Sequence, residues 1–281
     1  MGDVRMPAGE RGLGDALETV GERLRTATGV LLCTDFDGTL APITERPAAA
    51  QPIAESRRQL RRLRANGRAT VAVVSGRELV NLRSRVSVDD VVYAGNHGIE
   101  RHVDGETTVH PKARGYLDAT RRVRDAFDGA YQLDTDLLVE DKGWSVTVHY
   151  RDAADERVPR LLDEIETVVE TVGDGRLRTV RGKQAVEVRP DIDWDKGTCV
   201  DALVDDAADD VLPIYLGDDE NDRPAFRAVE RHGGVSVGVG RDDAQLRVDS
   251  PHDVTAFLRW LANSGLGQCR TDTAANRPHS A

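Results

Sequence analysis

The chain has 281 residues, with 49 Asp and Glu against 38 Lys and Arg and a formal net charge of -11. That length exceeds the usual single domain, and the acidic balance excludes the clustered basic face that nucleic-acid binding requires. Three cysteines without CxxC spacing exclude a disulfide framework and a Cys-rich zinc site.

In chain order, residues 1–9 read as loose and 10–27 as a charged amphipathic helix carrying Leu13, Leu17, Val20 and Leu24, together an N-terminal extension over 1–29. The first 28 residues mix both charge signs without an apolar stretch, so no signal peptide is read, and no segment approaches a membrane span. A cytoplasmic monomer without nucleic-acid or membrane partners is expected. Strand-like apolar runs fall at 30–34, 69–74, 90–94, 211–216 and 234–239, with helical patterns at 54–65, 77–85, 197–205, 222–231 and 252–263. This alternation predicts an α/β, doubly wound parallel sheet of Rossmann-like type. Between 111 and 190 the rhythm changes to helix (113–128), strand (137–139), strand (144–150), helix (155–172) and strands near 176–181 and 184–189. That order predicts an inserted α+β cap domain, 111–190, with an antiparallel sheet and helices on one face. The core then comprises 30–110 and 191–265, and a disordered tail is expected over 266–281.

Four strand ends carry the chemistry. The first apolar run stops on Asp35-Phe36-Asp37-Gly38-Thr39. Ligands of open α/β sheets gather at such edges, and carboxylates spaced i, i+2 can face one side. Like charges so close repel unless a cation separates them or one holds a proton, an arrangement suited to Mg²⁺-dependent phosphoryl chemistry with an aspartate nucleophile. An Asp-rich turn capping a helix is the plainer alternative. After the second run, Ser75 and Gly76 offer a hydroxyl and backbone N–H groups to a phosphate, although Ser75 also reads as an N-cap. Lys196 opens a helix, where the macrodipole favours anions; a phosphate would remove the mismatch, and a solvated lysine balanced by Asp193 and Asp195 is the alternative. Gly217-Asp218-Asp219-Glu220-Asn221-Asp222 supplies oxygen ligands at the fourth edge, and Mg²⁺ needs only one or two protein carboxylates.

In this order the four segments resemble the haloacid dehalogenase superfamily of phosphatases. Just before the insert, Gly95-Asn96-His97-Gly98-Ile99-Glu100, and within it Val139-Glu140-Asp141-Lys142-Gly143-Trp144, His149-Tyr150-Arg151, Gly182-Lys183 and Val186-Glu187-Val188-Arg189-Pro190, narrow the resemblance to trehalose-6-phosphate phosphatases, from Val30 to Leu261. That resemblance implies a cap that closes over the site, with Glu140, Lys142 and Glu187 as sugar contacts and Asn96, His97, Arg151, Lys183 and Arg189 as further candidates. Surface or salt-bridge duty is the alternative for Arg151 and Arg189. It also implies Asp35 as nucleophile and Asp37 as general acid and base. Ser75, Gly76 and Lys196 would hold phosphoryl oxygens, and Mg²⁺ would sit on Asp35, the Asp37 backbone carbonyl and Asp218, with Asp222 one layer behind. The family usually reads Gly-Asp-Asp-x-Thr-Asp-Glu at the fourth edge; here Asn221 replaces the threonine and Arg223 the glutamate. Phosphatases of sucrose phosphate or mannosylglycerate phosphate share this pattern, as would a phosphosugar mutase.

Overall fold

The computed structural model describes residues 12–44 and 47–270; the predicted loose segment 1–9 and the tail from 271 lie outside the described residues. Helix α1 (Leu13–Leu24) leads into β1 (Gly29–Thr34), α2 (Ala54–Ala65), β2 (Ala69–Val74), α3 (Leu79–Val86), β3 (Val92–Gly95), β4 (Glu100–Val103) and β5 (Glu106–Val109). The middle of the chain forms α4 (Leu117–Tyr131), β6 (Leu138–Asp141), β7 (Val146–His149), α5 (Val158–Val172), β8 (Leu177–Gly182) and β9 (Ala185–Pro190). It closes with α6 (Lys196–Asp205), β10 (Val211–Gly217), α7 (Arg223–Arg231), β11 (Val235–Val239), β12 (Leu246–Val248) and α8 (Pro251–Trp260).

Eight strands make one sheet in the order β12-β11-β10-β1-β2-β3-β4-β5, parallel from β12 to β3. Every residue of β1 is buried, as a strand covered on both faces must be. Val30 and Leu32 join a core shared with α1, α2, α3 and α8, whereas Leu31 and Cys33 join a second core with α6 and α7. The strand order reverses at β1, which has β2 on one side and β10 on the other. The carboxyl ends of β1, β2 and β10 therefore border one crevice, where ligands of such sheets bind.

Sequence patterning misses β4, β5 and β12. The first two form an antiparallel hairpin through Asp104 and Gly105, both at positive φ (49° and 85°), a turn for which Asp-Gly is a strong signal. Their residues are mostly polar and half to fully exposed, so no apolar run announces them. β12 has only three residues. The helix expected from 113 opens with a 3₁₀ turn, Ala113–Tyr116, and the one expected to reach 263 gives way after Trp260 to a π turn, Leu261–Gly265. The disorder expected from 266 is corrected over its first residues. Leu266 and Cys269 are buried in the core, and the Arg270 N–H donates to the Ala27 carbonyl at 2.8 Å.

The second sheet is antiparallel, in the order β6-β7-β9-β8. Val146, Val148, Val186 and Val188 pack with Phe127 of α4 and Ile165 of α5. Alternation sends their strand neighbours to the opposite face, where Glu140, Thr147 and Glu187 stand in register across three strands. The insert leaves and rejoins the core at one small apolar junction: Ile99, Ala113 and Ile192, flanked by Tyr116, Trp144 and Trp194. There the Tyr116 hydroxyl donates to the Asp191 carbonyl at 3.4 Å, and the His110 and Trp194 rings lie 4.4 Å apart. Among the described residues no helix is long and apolar enough to cross a membrane.

The insert's helices are held to its sheet by this one apolar layer, and Phe127 is fully buried in it. Phe127→Ala is expected to cost about 3–5 kcal/mol. Denaturant unfolding checks this, and a loss below about 1 kcal/mol would contradict the central place of Phe127 in the layer.

Candidate active site

Asp35 is the first residue beyond β1, held to β10 by its N–H, which donates to the Leu216 carbonyl at 2.8 Å. Its side chain is buried, with Lys196 Nζ 3.0 Å from Oδ1. Lys196 is not the solvated residue of the alternative reading. Asp195 caps α6 instead, in a reciprocal capping box with Thr198 (2.9 and 2.8 Å), so the helix start is served by a carboxylate. Lys196, 1% exposed, turns inward between Asp35 and Asp222, reaching Asp222 Oδ1 at 2.7 Å. Gly197 makes the approach possible, since a Cβ there would meet the Pro224 carbonyl oxygen at 2.6 Å.

Asp222 is fully buried and fully engaged. Oδ1 accepts from Lys196 and from the Tyr215 hydroxyl, each at 2.7 Å, and Oδ2 from the Asp218 and Asp219 N–H groups at 3.0 Å. It thus ties Lys196 to the loop after β10, and Tyr215, absent from the sequence reading, belongs to this anchor. Asp218 keeps a freer carboxylate, accepting from the Thr39 hydroxyl at 3.2 Å. Asp35, Asp218 and Asp222 each present an oxygen within 4.8 Å of the others. Burial raises Asp35 well above the ordinary carboxylate range; Lys196 opposes this, and Asp222, Asp218 and Asp37 add to it. Asp218 is pushed up to about 7 by burial and then by Asp222. One ammonium among these carboxylates leaves negative charge in excess, a donor set that suits a hard divalent cation.

Asp37 is gripped by Arg77, to which the sequence analysis assigns no role. Nε and Nη2 donate to Oδ2 and Oδ1 at 2.7 and 2.6 Å, the two-pronged geometry that fixes a carboxylate plane. Arg77 is itself held by the Pro47 carbonyl (2.8 Å) and Asn81 Oδ1 (3.2 Å). Ser75 is buried at the end of β2, its Oγ accepting from the Arg77 N–H at 3.3 Å. The replacements at 221 and 223 face outward: Asn221 donates to Asp219, and Arg223 pairs with Glu220 and Asp243.

The polar face of the second sheet is joined through Glu187 to the turn after β3. Glu187 Oε2 lies 2.8 Å from His97 Nε2, and Oε1 accepts from Ser145 Oγ (3.1 Å) and Lys142 Nζ (3.3 Å). Burial works against its charge, but His97, Lys142 and Arg189 hold its carboxyl well below the usual range. His97 is itself lowered by burial, with Glu187 opposing. Glu140 sits beside this group, 2.9 Å from His149 Nε2, and Arg189 Nη1 is 3.9 Å from Glu187. The Asn96 amide donates to Glu100 (2.9 Å) and to the Lys142 carbonyl (3.0 Å), and its Oδ1 accepts from Ser145 (2.9 Å). Arg151 and Lys183 are set apart from that group: both are exposed, Lys183 in the β8–β9 turn and Arg151 donating to Gln184 of that turn at 3.1 Å.

A family model for trehalose-phosphatase matches residues 33–256. A trehalose-phosphate phosphatase of Mycobacterium marinum is 36% identical over 279 residues, covering 93% of this chain and 70% of that protein. Trehalose-phosphate phosphatase B of Arabidopsis thaliana is 30% identical over 268 residues, covering 88% and 70%. An uncharacterised glycosyl hydrolase of Mycobacterium tuberculosis is 37% identical over 264 residues, and there the match spans only 19% of the longer protein. The fold is shared with the C-terminal domain of Candida albicans trehalose-6-phosphate phosphatase, with a TM-score of 0.75, 23% identity, and 88% of this chain and 96% of that chain covered.

Gly38 bends the loop at φ +75°, and a Cβ there would lie 1.9 Å from Asp218 Oδ2. Gly38→Ala must therefore displace Asp218. The variant is expected to keep its circular dichroism spectrum and to take up a divalent cation, titrated by calorimetry, more weakly than the parent; equal affinity in the two would contradict the close fit of this loop.

Proposed function

We propose, on the premise that this chain belongs to the trehalose-phosphatase family, that it hydrolyses trehalose 6-phosphate to trehalose and inorganic phosphate. The observation that carries the reading is Lys196 3.0 Å from Asp35, with Asp37 two residues on, in a molecule whose second sheet carries Glu140 and Glu187 on its polar face and Lys142 in the turn after β6. Three free, buried cysteines support a cytoplasmic enzyme.

In this reading an Asp35 carboxylate oxygen attacks phosphorus, forming an aspartyl-phosphate as the phosphorus–sugar oxygen bond breaks. Asp37 gives a proton to the departing sugar oxygen, then takes one from the water that attacks the phosphoenzyme and regenerates Asp35. Arg77 fixes the plane of Asp37 and so its reach toward the leaving oxygen. Lys196 and the Ser75–Gly76 loop hold the equatorial oxygens, where the electrostatic part of catalysis is concentrated. Asp35, the Asp37 carbonyl and Asp218 would hold Mg²⁺, which when bound neutralises phosphoryl charge. Asp222, with its hydrogen bonds already taken, positions Lys196 and the Asp218 loop.

The polar face of the second sheet supplies specificity. A disaccharide presents many hydroxyls, and charged hydrogen-bonding groups recognise them strongly. Binding energy from the sugar ring remote from the phosphate can be used to align the reacting atoms.

Two measurements test the reading. Asp35→Asn is expected to lower phosphate release from trehalose 6-phosphate on the order of 10⁴-fold or more while preserving the fold; substantial turnover by the pure variant would rule out the covalent route. Lys142→Ala or Glu187→Ala is expected to lower kcat/KM for trehalose 6-phosphate about 100-fold, and that for para-nitrophenyl phosphate far less. Equal losses on both substrates would remove these residues from sugar recognition. A parent enzyme that hydrolyses glucose 6-phosphate equally well would remove the disaccharide from the proposal.

A further inference from the structure

The turn between β3 and β4 stands between the loop after β2 and the second sheet, and it is bonded to both. On the loop side, the His97 N–H donates to the Ser75 carbonyl at 2.9 Å and the Asn96 N–H to the Arg77 carbonyl at 2.7 Å. Gly76 leaves the space that the His97 ring fills, since a Cβ there would lie 2.8 Å from its Cε1. On the sheet side, His97 Nε2 meets Glu187, and Asn96 takes hold of Ser145 and the Lys142 carbonyl. Asn96 and His97 are consecutive residues in the left-handed region (φ 48° and 57°), a conformation that persists only where surroundings over-determine it. The His97 side chain is nearly buried, so it cannot answer a movement of Gly76 by swinging into solvent. The far end of the same loop is Arg77, which grips Asp37.

We propose that His97 is a positioning residue that couples occupation of the Ser75–Arg77 loop by a phosphoryl group to docking of the second sheet over the crevice. The inference rests on the reading of Ser75 and Gly76 as phosphate-binding and of Glu187 as a sugar contact. A phosphoryl group that shifts the loop moves the Asn96–His97 backbone through two hydrogen bonds, one from each residue, and the His97 ring through contact with Gly76. The ring carries that shift to Glu187, whose carboxylate is buried and strongly penalises loss of a partner. Coupling of this kind is reciprocal: whatever docks the sheet must also tighten the phosphate loop. The docked and undocked positions of the sheet are the two states that both sites bias.

The test uses the full chain with Mg²⁺ and orthovanadate as the phosphoryl probe, and reads backbone hydrogen exchange. In the parent, vanadate is expected to slow exchange at 75–77 and also, by at least about fivefold, at 142–149 and 185–190. His97→Asn keeps a side chain that tolerates the left-handed conformation but falls short of Glu187. It is expected to retain the slowing at 75–77 and lose it in the two sheet segments. Glu187→Gln removes the acceptor's charge from the opposite end and should uncouple the same segments even if the His97 variant folds poorly. In kcat/KM for trehalose 6-phosphate the two changes together should cost no more than the larger alone. Slowing of the sheet segments in His97→Asn as strong as in the parent, or additive kinetic losses, would overturn the coupling. Slowing at 75–77 alone in the parent would overturn it too. No slowing at 75–77 in the parent would instead refute the phosphate-loop reading, and the inference falls with it.

Discussion

The site depends on a single buried ammonium. Among the described residues, Lys196 is the one cation in contact with both Asp35 and Asp222, and all three side chains are removed from water. Taking a charge out of water costs several kcal/mol unless partners surround it. Here each partner comes from a different element: Asp35 from the end of β1, Lys196 from the start of α6, and Asp222 from the loop after β10. Joining them therefore fixes three segments far apart in sequence. The capping box of Asp195 and Thr198 lets Lys196 point inward without leaving the start of α6 uncapped. The Tyr215 hydroxyl and two backbone N–H groups then complete Asp222, so that the buried charges form a satisfied network instead of a half-satisfied one.

The second sheet follows a different principle, the strict alternation of a strand. Val146, Val148, Val186 and Val188 bind the sheet to α4 and α5. The residues turned to the other face are charged or polar: Glu140, Ser145, Thr147, Glu187 and Arg189. One alternation therefore makes both the packed face of the insert's sheet and its polar face. A shift of register by one residue would bury Glu187 among valines and turn the valines to the crevice.

Much of this was legible in the sequence because the signals are local. Apolar runs that end on Asp35, Ser75 and Gly217 mark strand ends directly, and the valine alternation marks the insert's sheet. Lys196 was legible as an electrostatic mismatch at a helix start, which Asp195 and the two buried aspartates resolve. What was not legible depends on pairing across the chain. Arg77 and Asp37 are 40 residues apart, and nothing in Ser-Gly-Arg says which acid the arginine will hold. Tyr215 reads only as a bulky strand residue until Asp222 is placed against it. Asn96 reads as a polar group ready for a ligand, yet Glu100, Ser145 and the Lys142 carbonyl engage its amide. The β4–β5 hairpin was missed for a different reason: its Asp-Gly turn is a strong signal, but its strands are too polar to stand out as an apolar run.

The junction of Ile99, Ala113 and Ile192 carries a consequence for how such a molecule can change over evolutionary time. Because the chain departs and returns at one small apolar patch, the central sheet gains its registers without any strand from the insert. Lengthening, reshaping or exchanging the inserted segment alters a closed loop whose entropy varies only slowly with length. Selection can therefore rework the surface of the insert while the buried aspartates and their lysine stay fixed. Under the proposed function, a change in one excursion of the chain opens an old reaction to new leaving groups.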